Sequence, residues 1–363
     1  MERDRLECVI GRIKYETGSL EDMREAGMGQ LRLKDRQCGH IKNLEAPFGI
    51  NLISVSAAGI FDYIILQQGS CRRIQEQMDR ILETKMYDLH RHNYYELLYV
   101  SHGEMVQRVE GQLFSSQEGG FYLLDRNTMH LEEALKTDAY ENTKEGKSSE
   151  AEVIYFCISR ELMMKLLEPV EDKSGIFRSF YNEFVKKENE NLKGCITFEK
   201  QDCSGKQEAV IADILDEMYA HEPGYETVVQ GYLYRLLSGL CNETAYHPAL
   251  QTVRIRKDSR LAEAVMSYLR ENRRRISRKE LTERFHYNED YLSRVVRKYT
   301  GVSRKNYMED LLLEEAEHLL LTEEISVNDI MERLGYENET FFYRLFYKRH
   351  RMTPMEYRKK VGK

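Results

Sequence analysis

Three histidines and a glutamate are spaced so that they could act together. His90 and His92 are separated by one residue, Glu96 follows after three more, and His130 comes in a later segment that opens at Gly119. Neutral imidazoles and a carboxylate can ligate Fe, Mn or Zn, a set that suits metal-assisted oxidation or isomerisation. The same side chains also suit two plainer roles: a polar pocket for a small ligand, or an interior that satisfies its own hydrogen bonds. A second chemistry sits near the C-terminus. Arg294 and Arg344 occupy matching places on two amphipathic segments, and arginine can donate two hydrogen bonds to O6 and N7 of guanine.

These residues need elements to position them. The stretch from His90 to Gly103 is aromatic and β-branched and is predicted to be a strand. With period two, His90, His92, Tyr94 and Glu96 then share one face. Gly103 permits a turn, Met105–Val109 returns, and Gly119–His130 reads as turn, strand and turn. Asp138–Glu150 is polar and reads as a loop before a strand at Val153–Ile158. The apolar run Phe48–Leu66 contains Asn51 and Asp62, which marks it as buried strand or helix rather than a membrane span. Glu76–Glu83 has the spacing of a short helix. From Arg160 the period turns helical, with amphipathic segments at Gln207–Tyr219 and Tyr225–Cys241 that would cover the strands and pair with a second subunit.

The last hundred residues repeat themselves. Ile276–Arg294 aligns with Ile325–Arg344 at an offset of 49 residues, then 50 after one extra residue in the second turn. Ser277 with Glu280, and Ser326 with Asp329, are capping pairs for a first helix in each copy, and Asn288 and Asn338 are N-caps for a second. The second helices bury Tyr291, Leu292, Val295, Val296 and Tyr299, or Phe341, Phe342, Leu345 and Phe346. Arg294, Lys298, Ser303 and Tyr307 then match Arg344, Lys348, Thr353 and Tyr357. The face of the last copy opposite its apolar stripe carries Glu339, Thr340, Tyr343, Arg344, Tyr347 and Lys348. Two helix-turn-helix units are predicted, joined by a long helix at Ser303–Leu321.

Gly335-Tyr336, Phe342, Arg344, Phe346, Thr353-Pro354 and Tyr357-Arg358 resemble the signature of the AraC/XylS family of bacterial transcription regulators. Val296, Leu312, Tyr347 and Arg351 stand where that family usually has phenylalanine, arginine, lysine and glycine. The resemblance implies base reading by Asp290, Ser293 and Arg294 in the first unit and by Glu339, Thr340 and Arg344 in the second. Arg297, Lys298 and Lys348 are the candidates for phosphate contacts. The histidine segment resembles the first motif of the cupin barrel; the second motif keeps Gly119 and His130 but has Asp125 for proline and Asn127 for glycine. Sensor domains of such regulators commonly have this barrel. The expected effector site is His90, His92, Tyr94, Glu96, Arg108, Tyr122 and His130, whose aromatic content would suit a carbohydrate. His90, His92, Glu96 and His130 are the residues that would hold a metal, although no metal or other cofactor is assigned.

The expected fold class is α+β. An unassigned extension spans residues 1–70, a cupin-like barrel 71–165, a helical dimerisation and cover segment 166–250, a linker 251–259, and an all-α double helix-turn-helix domain 260–363. Charge agrees with this division. Residues 252–363 carry 25 Lys and Arg against 19 Asp and Glu, while the preceding 251 carry 29 against 42, within a net charge of −7. A basic excess at one end permits nucleic-acid binding there. The seven cysteines are scattered, with no Cys-x-x-Cys, which indicates neither a disulfide framework nor a zinc ribbon. The segment Met1–Glu7 mixes charges and does not read as a signal peptide.

The function expected is that of a DNA-binding transcription activator in the cytoplasm, controlled by a small-molecule effector, and not an enzyme. Its partners would be double-stranded promoter DNA, the effector, RNA polymerase and a second copy of the chain, with no membrane. The alternative is a metal-dependent cupin enzyme with a helical interaction module.

Overall fold

The computed structural model describes residues 2–17, 44, 46–56, 60–77, 90–132, 151–187, 191–201, 205–242, 244–255 and 257–361. The chain divides into two units, Met1–Arg254 and Ile255–Lys363.

Among the described residues, the N-terminal unit has eleven strands: β1 (Phe48–Val55), β2 (Ile60–Gln67), β3 (Ser70–Gln77), β4 (Tyr95–His102), β5 (Glu104–Val109), β6 (Gln112–Gln117), β7 (Phe121–Leu124), β8 (His130–Glu132), β9 (Ala151–Ile158), β10 (Leu192–Lys200) and β11 (Tyr246–Arg254). Eight form one antiparallel sheet in the order β11-β10-β7-β4-β9-β1-β2-β3, and three form a smaller one, β6-β5-β8. Period-two alternation gives the large sheet two buried faces. Phe48, Ile50 and Leu52 of β1, Tyr95, Leu97 and Tyr99 of β4, and Ile154, Phe156 and Ile158 of β9 share one apolar cluster with the helices. Ile53, Val55, Leu98, Val100, Val153 and Tyr155, on the opposite face, pack with Met105 and Val109 of β5 in the small sheet.

The helical layer is α1 (Glu2–Glu16), α2 (Arg160–Leu167), α3 (Ile176–Phe180, continued by a π turn at Tyr181–Lys186), α4 (Lys206–Ala220) and α5 (Tyr225–Leu240). Leu6, Val9, Ile10 and Ile13 make the apolar stripe of α1 and join the core with Ile211, Ile214 and Leu215 of α4. Arg5 pairs with Asp213, and Arg12 lies 2.5 Å from Asp216, which fixes α1 along α4.

Several expected boundaries move. The first seventy residues contribute α1, β1 and β2 to the core rather than standing apart. The helix expected at Glu76–Glu83 is strand β3 as far as Gln77, an edge strand whose charged residues imitate an amphipathic helix; the remainder lies outside the described residues. The segment 166–250 contains β10 and most of β11, and Pro248 is accommodated because β11 is an edge strand. The linker shrinks accordingly, since β11 pairs with β10 as far as Arg254 and the next helix begins at Lys257.

The C-terminal unit is all helical: α6 (Lys257–Asn272), α7 (Arg278–Phe285), α8 (Glu289–Thr300), α9 (Arg304–Thr322), α10 (Val327–Leu334), α11 (Glu339–His350) and α12 (Pro354–Val361). Ser277, Asn288, Ser303, Ser326 and Asn338 all cap helices through their side chains, as their types predict. The reciprocal capping box forms at Ser326/Asp329. At Ser277 the reciprocal half is missing, because the Glu280 carboxylate instead accepts from Tyr268 and Arg274.

Candidate functional site

In the first helix-turn-helix, α7 stops at His286 in the left-handed conformation, and Asn288 restarts the chain as α8. Leu292, Val295, Val296 and Tyr299 are buried, while Tyr291 is half-buried and donates its hydroxyl to Asp258 at 2.7 Å. In the second, Gly335 takes the left-handed turn after α10, and Phe342 and Phe346 of α11 are fully buried, with Phe341 and Leu345 partly so. Arg294 and Arg344 are both exposed. Each lays its guanidinium over the aromatic ring three residues earlier, 5.7 Å from Tyr291 and 5.5 Å from Phe341. Such cation–π contacts hold a long side chain outward without removing its hydrogen-bond donors. The matched ring–arginine pair is a feature of the repeat that apolar spacing alone did not reveal.

Asp290, Arg297, Glu339, Thr340 and Lys348 are also exposed. Ser293 is half-buried against Glu289 at 3.4 Å, and Lys298 lies 3.9 Å from Asp258. Glu289, acidic near the start of α8, lies 3.2 Å from the buried Arg304, so its charge is matched inside the domain. A groove of about 400 Å³ runs beside α11, lined by Lys305, Arg344, Lys348 and Arg351 with Glu309, Phe341, Leu345 and Tyr347. Lys305 and Arg351 were not among the sequence candidates; Lys305 joins from the start of α9, which lines the same groove, and Arg351 is the residue that ends α11.

Arg351, where glycine is usual, has φ +53°, the left-handed region in which a side chain is strained. Arg351→Gly is expected to stabilise this unit by about 1 kcal/mol, read from its thermal unfolding.

In the N-terminal unit, the expected histidine strand begins only at Tyr95, so His90 to Tyr94 approach β4 as an irregular segment. His90 and His130 exchange backbone hydrogen bonds of 2.9 Å. One nitrogen from each of His90, His92 and His130 lies within 4.8 Å of the others. Glu96 reaches into the same cluster, 3.2 Å from Nε2 of His92 and 3.9 Å from Nε2 of His130. Nδ1 of His92 lies 3.0 Å from the Tyr94 carbonyl, and Nδ1 of His130 lies 2.9 Å from the Thr128 carbonyl. Asn127, where glycine is usual, sits at φ +57° and donates its backbone N–H to the His92 carbonyl. Asparagine is one of the few side chains that tolerates that geometry.

Burial, and then the neighbouring His92, hold His130 below the usual imidazole range, with Glu96 and Glu132 pulling the other way. Three imidazoles and a carboxylate are a donor set that fits a transition-metal ion. Tyr94 stacks on His92 at 3.8 Å, and Tyr122 lies on the inner face of β7. Arg108 does not join them: β5 buries Met105, Gln107 and Val109, which leaves half-buried Arg108 on its other face. The thiols of Cys157 and Cys195 are pushed up by burial, in keeping with unreactive interior cysteines.

Nearby, burial pushes Asp125 up to about 7 although Lys193 lies 3.5 Å away and draws it down. A carboxyl whose folded value exceeds its unfolded one stabilises the fold at pH below the unfolded value, near 4, and that contribution is lost as pH rises through about 7. Melting curves of the wild type should therefore fall relative to Asp125→Asn between those limits.

A helix-turn-helix domain family matches residues 281–360, which include α8 to α11. The chain is 32% identical over 105 residues to the uncharacterized HTH-type transcriptional regulator YisR of Bacillus subtilis, covering 29% of this chain and 37% of YisR. It is 39% identical over 84 residues to YobQ, another such regulator of that organism, covering 23% of this chain and 35% of YobQ. The C-terminal unit is an AraC-type helix-turn-helix domain. The chain thus spans about a third of the length of these curated relatives. Among solved structures, unsaturated fatty acid-bound ToxT of Vibrio cholerae matches 88% of this chain and 97% of its own at 14% identity, with a TM-score of 0.30. Beyond the AraC-type domain, the described residues contain no helix long and apolar enough to cross a membrane.

Proposed function

We propose that this protein is a sequence-specific transcription regulator that reads promoter DNA through its AraC-type domain and is controlled by a ligand held in its N-terminal unit. The observation that carries this reading is the pair of helix-turn-helix units, each presenting an exposed arginine braced on an aromatic ring. Two recognition helices on one small domain suit successive major grooves, about 34 Å apart on one face of the duplex. Asp290, Ser293, Arg294, Glu339, Thr340 and Arg344 take the base-reading role in this proposal. Arg297, Lys298 and Lys348, joined by Lys305 and Arg351, take the phosphates.

His90, His92, Glu96 and His130, flanked by Tyr94 and Tyr122, form the ligand site; Arg108 is left out of it. The aromatic side chains beside the histidines, Tyr94 stacked on His92 and Tyr122 on the inner face of β7, would suit a carbohydrate as that ligand. The protein acts in the cytoplasm as a homodimer that activates transcription with RNA polymerase, and not as an enzyme.

Selection of genomic DNA fragments by the purified full-length protein tests the core of the proposal. Enrichment of one motif, with two conserved boxes roughly 10 base pairs apart, is the expected result. Binding without sequence preference, lost in moderate salt, would overturn it.

A further inference from the structure

We infer that Arg275 is a positioning residue that locks the two helix-turn-helix units together and so fixes the spacing of the DNA boxes this protein accepts. The spacing half of this inference rests on the function proposed above; the mechanical half does not.

The short segment Arg273–Ile276 joins α6 to α7, immediately ahead of the first unit. Its two ends are tied to α9. Arg273 pairs with Glu315, and the backbone N–H of Ile276 meets the Met308 sulfur at 3.3 Å. Between these anchors the backbone N–H of Arg275 donates to the Leu334 carbonyl at 2.9 Å. Leu334 is the last residue of α10, so this bond runs from the entrance of the first unit to the turn of the second. A Cβ at Gly335, in that turn, would meet Arg275 at 3.4 Å, which shows how closely the two backbones lie.

The side chain reaches further. Arg275 is exposed and has no carboxylate partner among the described residues. Its guanidinium lies over two rings of the second unit, 5.5 Å from Tyr336 and 5.8 Å from Phe341. Phe341 is also the ring on which Arg344 is braced. One aromatic side chain thus links the strap of the first unit to the base-reading arginine of the second.

Helix α9 alone would leave a freedom that this strap removes. The second unit is joined to α9 at the start of α10, and α10, with eight residues, extends about 12 Å from there. A hydrogen bond and a cation over two rings at its far end act on that lever arm and resist rotation of the second unit about α9. DNA makes such rotation matter. One inserted base pair moves a box by about 3.4 Å and turns it by roughly 35°. An arginine–guanine pair made at about 2.7–3.2 Å cannot follow that displacement unless its helix moves.

The test uses full-length wild type, Arg275→Ala and Arg275→Lys. Each is titrated on fragments carrying the selected pair of boxes with zero, one or two base pairs inserted between them, and on a fragment with one box scrambled. Wild type is expected to lose affinity by roughly tenfold or more at the first insertion. Arg275→Ala is expected to lose about threefold or less there, and to bind the one-box fragment as wild type does. Arg275→Lys keeps a cation over the rings and should restore most of the spacing penalty. Melting followed by circular dichroism checks that both variants fold. In parallel, spin labels on genetically encoded residues at the exposed positions Lys279 of α7 and Glu332 of α10 report the distance between the units. Its distribution should be roughly twofold wider in Arg275→Ala.

The outcomes separate. A wild type indifferent to spacing, or an equal spacing penalty in wild type and Arg275→Ala, overturns the inference. So does a loss in Arg275→Ala that is equal on every fragment and comes with a lower salt slope, which would make Arg275 a phosphate contact only. A wild type with no sequence-specific binding overturns the regulator reading instead. The label distances then decide the coupling, which falls if Arg275→Ala leaves them unchanged.

Discussion

Full-length protein carrying both Arg294→Ala and Arg344→Ala binds its selected DNA about 2–6 kcal/mol more weakly than wild type, with unchanged helicity. Each arginine contributes roughly 1–3 kcal/mol if it bonds a guanine bidentately, and the two sit on separate helices, so their effects should nearly add. Both side chains are exposed, which is why their removal leaves the core intact. Lysine at either position should recover only part of the loss, since an ammonium lacks the planar fork that matches O6 and N7. Gel-shift titrations at one fixed salt concentration measure the effect, and they should be repeated on fragments with the contacted bases changed. An undiminished affinity would mean that these helix faces merely meet solvent.

Phe346→Ala destabilises the AraC-type domain by about 3–5 kcal/mol, the usual cost of hollowing out a buried aromatic site. The ring is fully buried and meets Phe342 at 5.9 Å, His350 at 4.5 Å and Tyr357 edge-on at 5.5 Å. It thus joins α11 to α12 and supports the helix that carries Arg344. The chain has no tryptophan, so loss of helical circular dichroism in urea is the appropriate signal. Tyr347→Ala, one residue on but 52% exposed, should stay within about 0.5 kcal/mol of wild type. Equal effects for the two would mean that Phe346 is not the keystone of this end of the domain.

The AraC-type domain was legible because its signals are local. A serine or asparagine cap, an apolar stripe within twelve residues and a left-handed stop can all be read without knowing what packs where. Ser277, Asn288, Ser326, Asn338 and Gly335 each do what their type suggests.

The N-terminal unit hides more. Strand β1 lies between β2 and β9, which is about a hundred residues further along, and a strand buried on both faces loses its alternation. Three signals were nevertheless present. Leu6, Val9, Ile10 and Ile13 have helical spacing. Gln68-Gly69 and Glu110-Gly111 both have positive φ and close tight hairpins. Gly194-Cys-Ile-Thr-Phe198 has the β-branched and aromatic content of a strand and lies within β10.

The site itself was half legible. Spacing placed His90, His92, Glu96 and His130 together, but Arg108, expected among the polar groups of a barrel mouth, lies on the other face of β5, and nothing in the sequence showed that Tyr94 would lie flat on His92.

The docking of α1 along α4 imposes an order of events on synthesis. A ribosome releases Leu6 and Ile10 just over two hundred residues before Ile211 and Leu215 exist to receive them. Helix α1 must therefore wait, its apolar side uncovered and open to chaperones, until α4 has left the exit tunnel. A nascent chain halted before residue 206 should accordingly be far more sensitive to protease at its beginning than one halted after residue 240.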